Sequence, residues 1–270
     1  MAEISAAQVN QLRNKTGLGM MECKKLLIES SGDVDKAIEI ARKKGVKTSI
    51  TERQAGEGKI SVASSADGKT AVAVEVNTNT DFTAKSEVVQ NALKTATQKL
   101  LANPSADVKN DPQIKDTLTS VAQQTGENVQ IGRTAVMTAP NGKAGAYLYV
   151  NTGKIGVLMQ FTGNPEAELI TQVGGHIAFA RPLGLTRAEV PADLVAKERE
   201  IAIEQAKATG KPQQIAEKIA EGKLNSFFAE RVLLDQEFFN AMAFKGTVGN
   251  LLKSKGVTLE KYVRLEVGQS

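Results

Sequence analysis

Side chains able to make or break bonds are scarce in this sequence. Among 270 residues there is one cysteine, Cys23, and one histidine, His176. A Ser-His-Asp relay or a zinc site of the usual ligand types needs more histidine than this, or a specific partner for it. Cys23, between Met21 and Lys24 on a predicted helix, reads as a structural thiol, and a lone cysteine forms no internal disulfide. His176 follows Gly174-Gly175 inside an apolar helical stretch, where a packed or solvent-facing role is expected. Gly68-Lys69-Thr70 resembles the tail of a phosphate-binding loop, but position 63, where that loop needs glycine, holds Ala63, and the segment sits in a hairpin turn. Gly17-Leu18-Gly19 lacks the third glycine of a dinucleotide fingerprint. Carboxylates are plentiful, but on solvent-facing helices none stands out as a catalytic acid. No enzyme, metal or cofactor is expected.

The pattern that does stand out points to non-covalent chemistry. Glu75-Val-Asn-Thr-Asn-Thr-Asp-Phe-Thr-Ala-Lys85 reads as a strand that turns at a polar corner into a helix opening on Asp81-Phe82. Two readings of that acid–aromatic pair compete. Thr80 or Asp81 caps the helix while Phe82 turns into the core. Alternatively, the pair faces solvent and meets a partner.

The elements that must position it follow from periodicity. Ser5-Ala-Ala-Gln8 is a capping-box pattern opening a helix with Val9 and Leu12 that stops near Gly17. A second helix carries Met20, Met21, Leu26 and Leu27 and ends at Ser31-Gly32; Asp33 caps a third with Val34, Ala37, Ile38 and Ala41. Residues 1–50 therefore form a three-helix module, and 51–57, glycine-rich and without apolar period, a linker. A hairpin about Asp67-Gly68 leads to the Glu75 strand, and a helix spans Asp81–Ala102. A helix near Asp111–Gln124 and a strand Asn128–Ala139 complete a first subdomain, 58–139. A second hairpin, Ala146–Asn151 with Ile155–Phe161 about Thr152-Gly153, precedes a helix from Pro165 to Ala180 and opens a second subdomain, 140–270. Two long helices, Pro191–Thr209 and Pro212–Leu233, form an antiparallel hairpin over 190–233 within it. A short helix, Val248–Lys255, and a strand, Tyr262–Val267, end the chain. The fold class is α+β: a UBA-like (ubiquitin-associated-like) three-helix module, two related subdomains with antiparallel sheets, and a projecting helical hairpin.

Composition narrows the class. Hydrophobic residues are 41% and charged residues 24%, an ordinary balance for a chain with a sizeable core. A net charge of +4, from 34 basic and 30 acidic residues, is too even to imply nucleic acid, and 4% aromatics with no tryptophan disfavour a base-stacking surface. No apolar run approaches the roughly 20 residues of a membrane span. The opening residues lack the basic and apolar regions of a secretory signal, so a cytoplasmic location is expected.

Two signatures resemble the bacterial elongation factor Ts family. One is Leu12-Arg13-Asn-Lys-Thr16-Gly17-Leu-Gly19-Met20 followed by Lys24-Lys25-Leu-Leu27; the other is Glu75-Val76-Asn77 with Thr80-Asp81-Phe82 and Ala84-Lys85. Gly126-Glu-Asn-Val, Gly153-Lys-Ile-Gly-Val-Leu158, Gly210–Lys218, Thr247–Leu252 and Val263–Gly268 extend the likeness over nearly the whole chain. Thr78, Asn79 and Thr83 depart from the family's usual choices, and Tyr149 stands where the family commonly has histidine. Some relatives continue beyond the final strand into a further helix.

The resemblance implies a guanine-nucleotide exchange factor that promotes GDP release from the GTPase elongation factor Tu during translation elongation, without bond chemistry. It implies that Thr80, Asp81, Phe82 and Thr83 contact the GTPase near its nucleotide and Mg²⁺. It places Leu12, Arg13, Thr16, Gly17 and Lys24 in the docking surface of the N-terminal module, and Gly126 and Tyr149 in a weaker core contact. No membrane and no direct nucleic-acid partner is implied; a homodimer and a two-plus-two complex are both compatible with it. A generic adaptor built on the three-helix module is a second reading. An RNA-binding translation protein, suggested by Arg13, Lys15, Lys24 and Lys25, is a third.

Overall fold

The computed structural model describes residues 4–16, 18–43, 56–210 and 212–269. Three short helices come first: α1 (Ala6–Thr16), α2 (Met20–Glu29) and α3 (Val34–Lys43). The capping box forms as its sequence predicts. Gln8 N donates to Ser5 Oγ at 3.2 Å, and Ser5 N donates back to Gln8 Oε1 at 2.9 Å. Asp33 Oδ1 accepts from Asp35 N and Lys36 N, both at 3.0 Å, and so starts α3. Val9, Leu12, Cys23, Leu26, Leu27, Ala37 and Ala41 close a small core between the helices. Of the expected linker, residues 51–55 lie outside the described residues, and Glu57 opens the first strand, paired with Thr78.

The body has two three-stranded antiparallel sheets. In the first, β2 (Thr70–Thr78) lies between β1 (Glu57–Ser64) and β3 (Gln130–Thr138); in the second, β5 (Ile155–Thr162) lies between β4 (Gly142–Leu148) and β6 (Thr258–Glu266). Thr70-Ala-Val-Ala-Val-Glu-Val alternates small and large residues, and each set finds its own layer. Val72, Val74 and Val76 pack under the helices α5 (Glu87–Ala102) and α6 (Pro112–Thr125). Ala71 and Ala73, on the other face, meet Ala144 and Leu158 of the second sheet together with Leu265. The second sheet is covered on its far side by α7 (Ala167–Ala180) and α10 (Val248–Ser254), around Val157, Met159 and Phe161. The order of layers is helix, sheet, sheet, helix.

Three element boundaries differ from the periodicity. The helix expected over Asp81–Ala102 is two helices, α4 (Asp81–Ala84) and α5, because Ser86 is extended at φ −60°, ψ 142°. Gln90 Nε2 takes up the Ala84 carbonyl at 2.6 Å across that break. β4 begins at Gly142 and ends before Tyr149; its first residues, Gly-Lys-Ala-Gly, carry no alternation, and pairing with Thr162 to Met159 alone makes them a strand. β6 begins at Thr258, with an irregularity opposite Gln160/Phe161 that hides its period. The helical hairpin, α8 (Ala192–Ala208) against α9 (Gln213–Arg231), is present and closes on Ala202, Ala206, Ala216 and Ala220.

Candidate functional site

The acid–aromatic pair stands at the end of the body where β2 stops. Thr80, at φ −127° and ψ 150°, is the N-cap of α4, and its side-chain oxygen accepts from Thr83 N at 3.3 Å. The capping half of the local reading is therefore found. The core-packing half is not: Phe82 is 87% exposed, the ring projecting from a helix of four residues whose inward side is Thr83 and Ala84. A single helical turn does not hold itself in water, so its shape must come from neighbours.

Those neighbours come from three other segments. Glu127, just past the left-handed C-cap Gly126 (φ 70°) of α6, accepts from Thr80 N at 3.1 Å and from the hydroxyls of Thr80 and Thr83, both at 2.8 Å. Asn79 Oδ1 accepts from Asn128 N at 2.6 Å, tying the same two loops once more. On the other side Asp81 is ringed by lysines: Lys85 at 2.5 Å, Lys59 of β1 at 3.5 Å and Lys154 at 3.9 Å. The hydrogen bond from Lys85 is the main reason the Asp81 carboxyl lies below the ordinary carboxylate range, with Lys59 and Lys154 adding to it. The acid is ionised at neutral pH. Lys59 also donates to the Thr152 carbonyl at 2.5 Å, and Lys154 pairs with Glu57. The loop 149–154 of the second sheet thus abuts the tip carried by the first.

Tyr149 lies in that loop, half-buried, with its ring edge-on to Phe179 at 4.8 Å between centroids. Val150 and Phe179 are exposed. The structure therefore gathers Thr80 to Thr83, Gly126 and Tyr149 at one end of the body. Glu127, Lys59, Lys154 and Phe179 join them there, and sequence reasoning missed all four as parts of the site. Glu127 and Lys154 lie inside the stretches Gly126-Glu-Asn-Val and Gly153–Leu158 already singled out, which was their only signal; Lys59 and Phe179 carry none.

The N-terminal residues divide differently. Arg13 and Lys24 are exposed on α1 and α2. Leu12 is fully buried and Thr16 nearly so, its hydroxyl donating to Leu12 O at 2.6 Å. These two lie in the three-helix core, beneath the surface on which Arg13 and Lys24 are exposed. Gly17 lies outside the described residues. Met20 and Met21, beside Lys24, are exposed apolar groups on the same module.

The other reactive side chains have structural surroundings. Cys23 is buried, and burial pushes its thiol pKa up. His176 is buried beneath Phe238: its Nε2 is 3.0 Å from Gln236 Oε1 and its Nδ1 accepts from Phe239 N at 3.3 Å, which makes Nε2 the protonated nitrogen. Desolvation lowers its pKa. A surface groove of 690 Å³ lies at the opposite end of β2, between the Asp67-Gly68 turn and β4. Lys69 and Lys143 there are spent on the Gly142 and Pro165 carbonyls. Among the described residues there is no cluster of three metal-ligating side chains, and no helix is long and apolar enough to cross a membrane.

By fold this is a two-sheet α+β protein with a three-helix module ahead of it and an acid–aromatic tip at one end. A family model described as "Elongation factor TS" matches residues 76–269. The chain is 37% identical to an elongation factor Ts of Teredinibacter turnerae, over 98% of its own length and 91% of that protein's. It is 38% identical to those of Saccharophagus degradans and Thioalkalivibrio sulfidiphilus, over 98% of this chain and 92% of each relative. The chain belongs to the elongation factor Ts family. That membership supports a role as nucleotide exchange factor for elongation factor Tu in translation elongation.

Proposed function

We propose that this protein accelerates GDP release from elongation factor Tu by pressing Asp81 and Phe82 into the GTPase close to its nucleotide and Mg²⁺. The observation that carries this reading is Phe82, 87% exposed on a helical turn pinned from three sides. Burying such a ring in a partner's groove gains about 1.5–3 kcal/mol, and a pinned turn loses little further freedom on binding. Asp81 brings a formal negative charge to the same point and competes for the cations and donors that hold the phosphates. Thr80 and Thr83 frame the pair.

The remaining parts serve docking and leverage. The module 1–50 approaches the nucleotide domain through Arg13, Lys24 and the exposed Met20 and Met21, above Leu12 and Thr16. The stretch expected as a linker, 51–57, whose last residue Glu57 is already in β1, leads from it to the subdomains 58–139 and 140–270. Gly126 and Tyr149 make the secondary contact beside the tip. Exchange needs no bond chemistry: a factor that prefers the distorted GTPase weakens nucleotide binding, and nucleotide weakens the factor's binding by the same ratio. The site of action is the cytoplasm, where translation takes place.

Release of a fluorescent GDP analogue from the cognate elongation factor Tu, with catalytic amounts of this protein, is the test. Acceleration by the wild type that is largely lost in a folded Asp81→Ala/Phe82→Ala variant is the expected result. Acceleration that survives both changes removes the tip from the mechanism, and no acceleration by folded wild type removes the exchange reading.

A further inference from the structure

We infer that Glu127 is the positioning residue of the tip: its carboxylate, reaching across from the end of α6, fixes the direction in which Phe82 leaves the body. This inference rests on the exchange reading above and names a residue through which that site is built.

The geometry is specific. α4 has only four residues, so its shape and its cap depend on support from outside the turn. Glu127 gives that support with both oxygens. Oε2 accepts from the Thr80 backbone, and Oε1 accepts from the Thr80 hydroxyl that caps the turn and from the Thr83 hydroxyl on the turn's inner side. Phe82 lies between those two anchored threonines, so its direction is set once they are. Gly126 makes the reach available: at φ 70° it takes the left-handed conformation that ends α6, and the next residue is turned toward the tip. The hydrogen bond from Asn128 N to the Asn79 side chain keeps the two loops together, but it ends before the turn begins. Within the turn, the lysines meet Asp81. Glu127 hydrogen-bonds the turn at its cap and at its inner side together. A charged acceptor also gives shorter and stronger bonds than a neutral one.

The experiment compares wild type, Glu127→Ala, Glu127→Gln, Phe82→Ala and the Glu127→Ala/Phe82→Ala double variant in full-length protein. Three readouts are taken: thermal midpoint, backbone hydrogen exchange of the segment spanning Thr80 to Lys85 in the free protein, and GDP-analogue release at saturating and limiting factor. Glu127→Ala is expected to raise hydrogen exchange in that segment selectively and to slow maximal release roughly ten- to a hundredfold, with little change in midpoint. Glu127→Gln, which keeps an acceptor for the hydroxyls, is expected to recover part of the rate. The double variant is expected to be no slower than Phe82→Ala, because both changes remove the same event.

Unchanged hydrogen exchange and rate in Glu127→Ala would overturn the inference while leaving the exchange reading standing. Losses that simply add in the double variant would do the same. A fall in midpoint that Glu127→Gln shares in full, with rate loss in proportion, would make Glu127 a stability residue and also overturn it. Wild type without acceleration overturns the exchange reading, and a fully active Phe82→Ala overturns the insertion step; each takes the inference with it.

Discussion

At the scale of single residues, Phe82 separates function from stability. An exposed ring contributes little to folding, and surface substitutions away from caps and buried pairs usually change stability by less than about 0.5 kcal/mol. Phe82→Ala should therefore leave the thermal midpoint within error of wild type while abolishing most exchange; calorimetry on the purified variant checks this. A large drop in midpoint would return Phe82 to a packing role. Asp81 owes its lowered pKa first to Lys85, then to Lys59 and Lys154. Its folded-state value is depressed, so its pairing is in place above the ordinary carboxylate range and is lost only as pH falls through the depressed value. The tip keeps its negative charge across the neutral range in which translation runs. Asp81-Phe82 was visible in the sequence as an odd pair at a helix start; whether the ring faced in or out was not, since both outcomes share the same cap at Thr80.

Among elements, α7 shows what close packing does to a titratable group. His176 is held by Gln236 and the Phe239 amide, and by contact with Phe238, all from the segment that follows α9. Burial lowers its folded pKa below the unfolded value of about 6.5, so the unfolded chain binds the proton first. Stability is full above the unfolded value and is lost as pH falls through it toward the lowered folded one. The thermal midpoint should decline as pH falls below about 6.5, and His176→Asn should flatten that decline. Because the chain has one histidine, no second imidazole obscures the reading. An unchanged slope in the variant would assign the decline to carboxylates. The sequence placed His176 in an apolar helical stretch, but its partners lie 60 and 63 residues away, beyond any local pattern.

For the whole molecule, the two sheets must move as one if a tip on the first is to be braced by the second. Apolar contact between Ala71, Ala73, Ala144, Leu158 and Leu265 supplies the common layer. A charged link crosses it. Glu75, 1% exposed, pairs with Arg133 at 2.6 Å, and Arg133 Nη2 donates to the Glu266 carbonyl of β6 at 2.6 Å. The Glu266 side chain then holds Arg264 and Arg181 at 2.7 and 2.8 Å. Removing Arg133 strands a buried carboxylate, which costs about 3 kcal/mol, the low end of such losses because the guanidinium is partly exposed. Arg133→Ala should lower the unfolding free energy from denaturant titration by that amount and slow exchange through a loosened brace. Adding Glu75→Gln should recover part of the stability, since the stranded charge is then gone. A variant of wild-type stability would show that the link is solvated.

The sequence by itself determined the element types and order: caps at Ser5, Asp33 and Asp111, turns at Asp67-Gly68 and Gly210, and apolar periods that distinguish strands from helices. These are local signals, written within a few residues of one another. Only the tertiary structure decided that the sheets meet back to back and that α4 breaks from α5. It alone placed Glu127, Lys59 and Lys154 beside Asp81 and Phe82. The sheet packing and the gathering at the tip depend on contacts between residues some 20 to 130 positions apart, and the free energy of such contacts exists only once the chain has closed the loops between them.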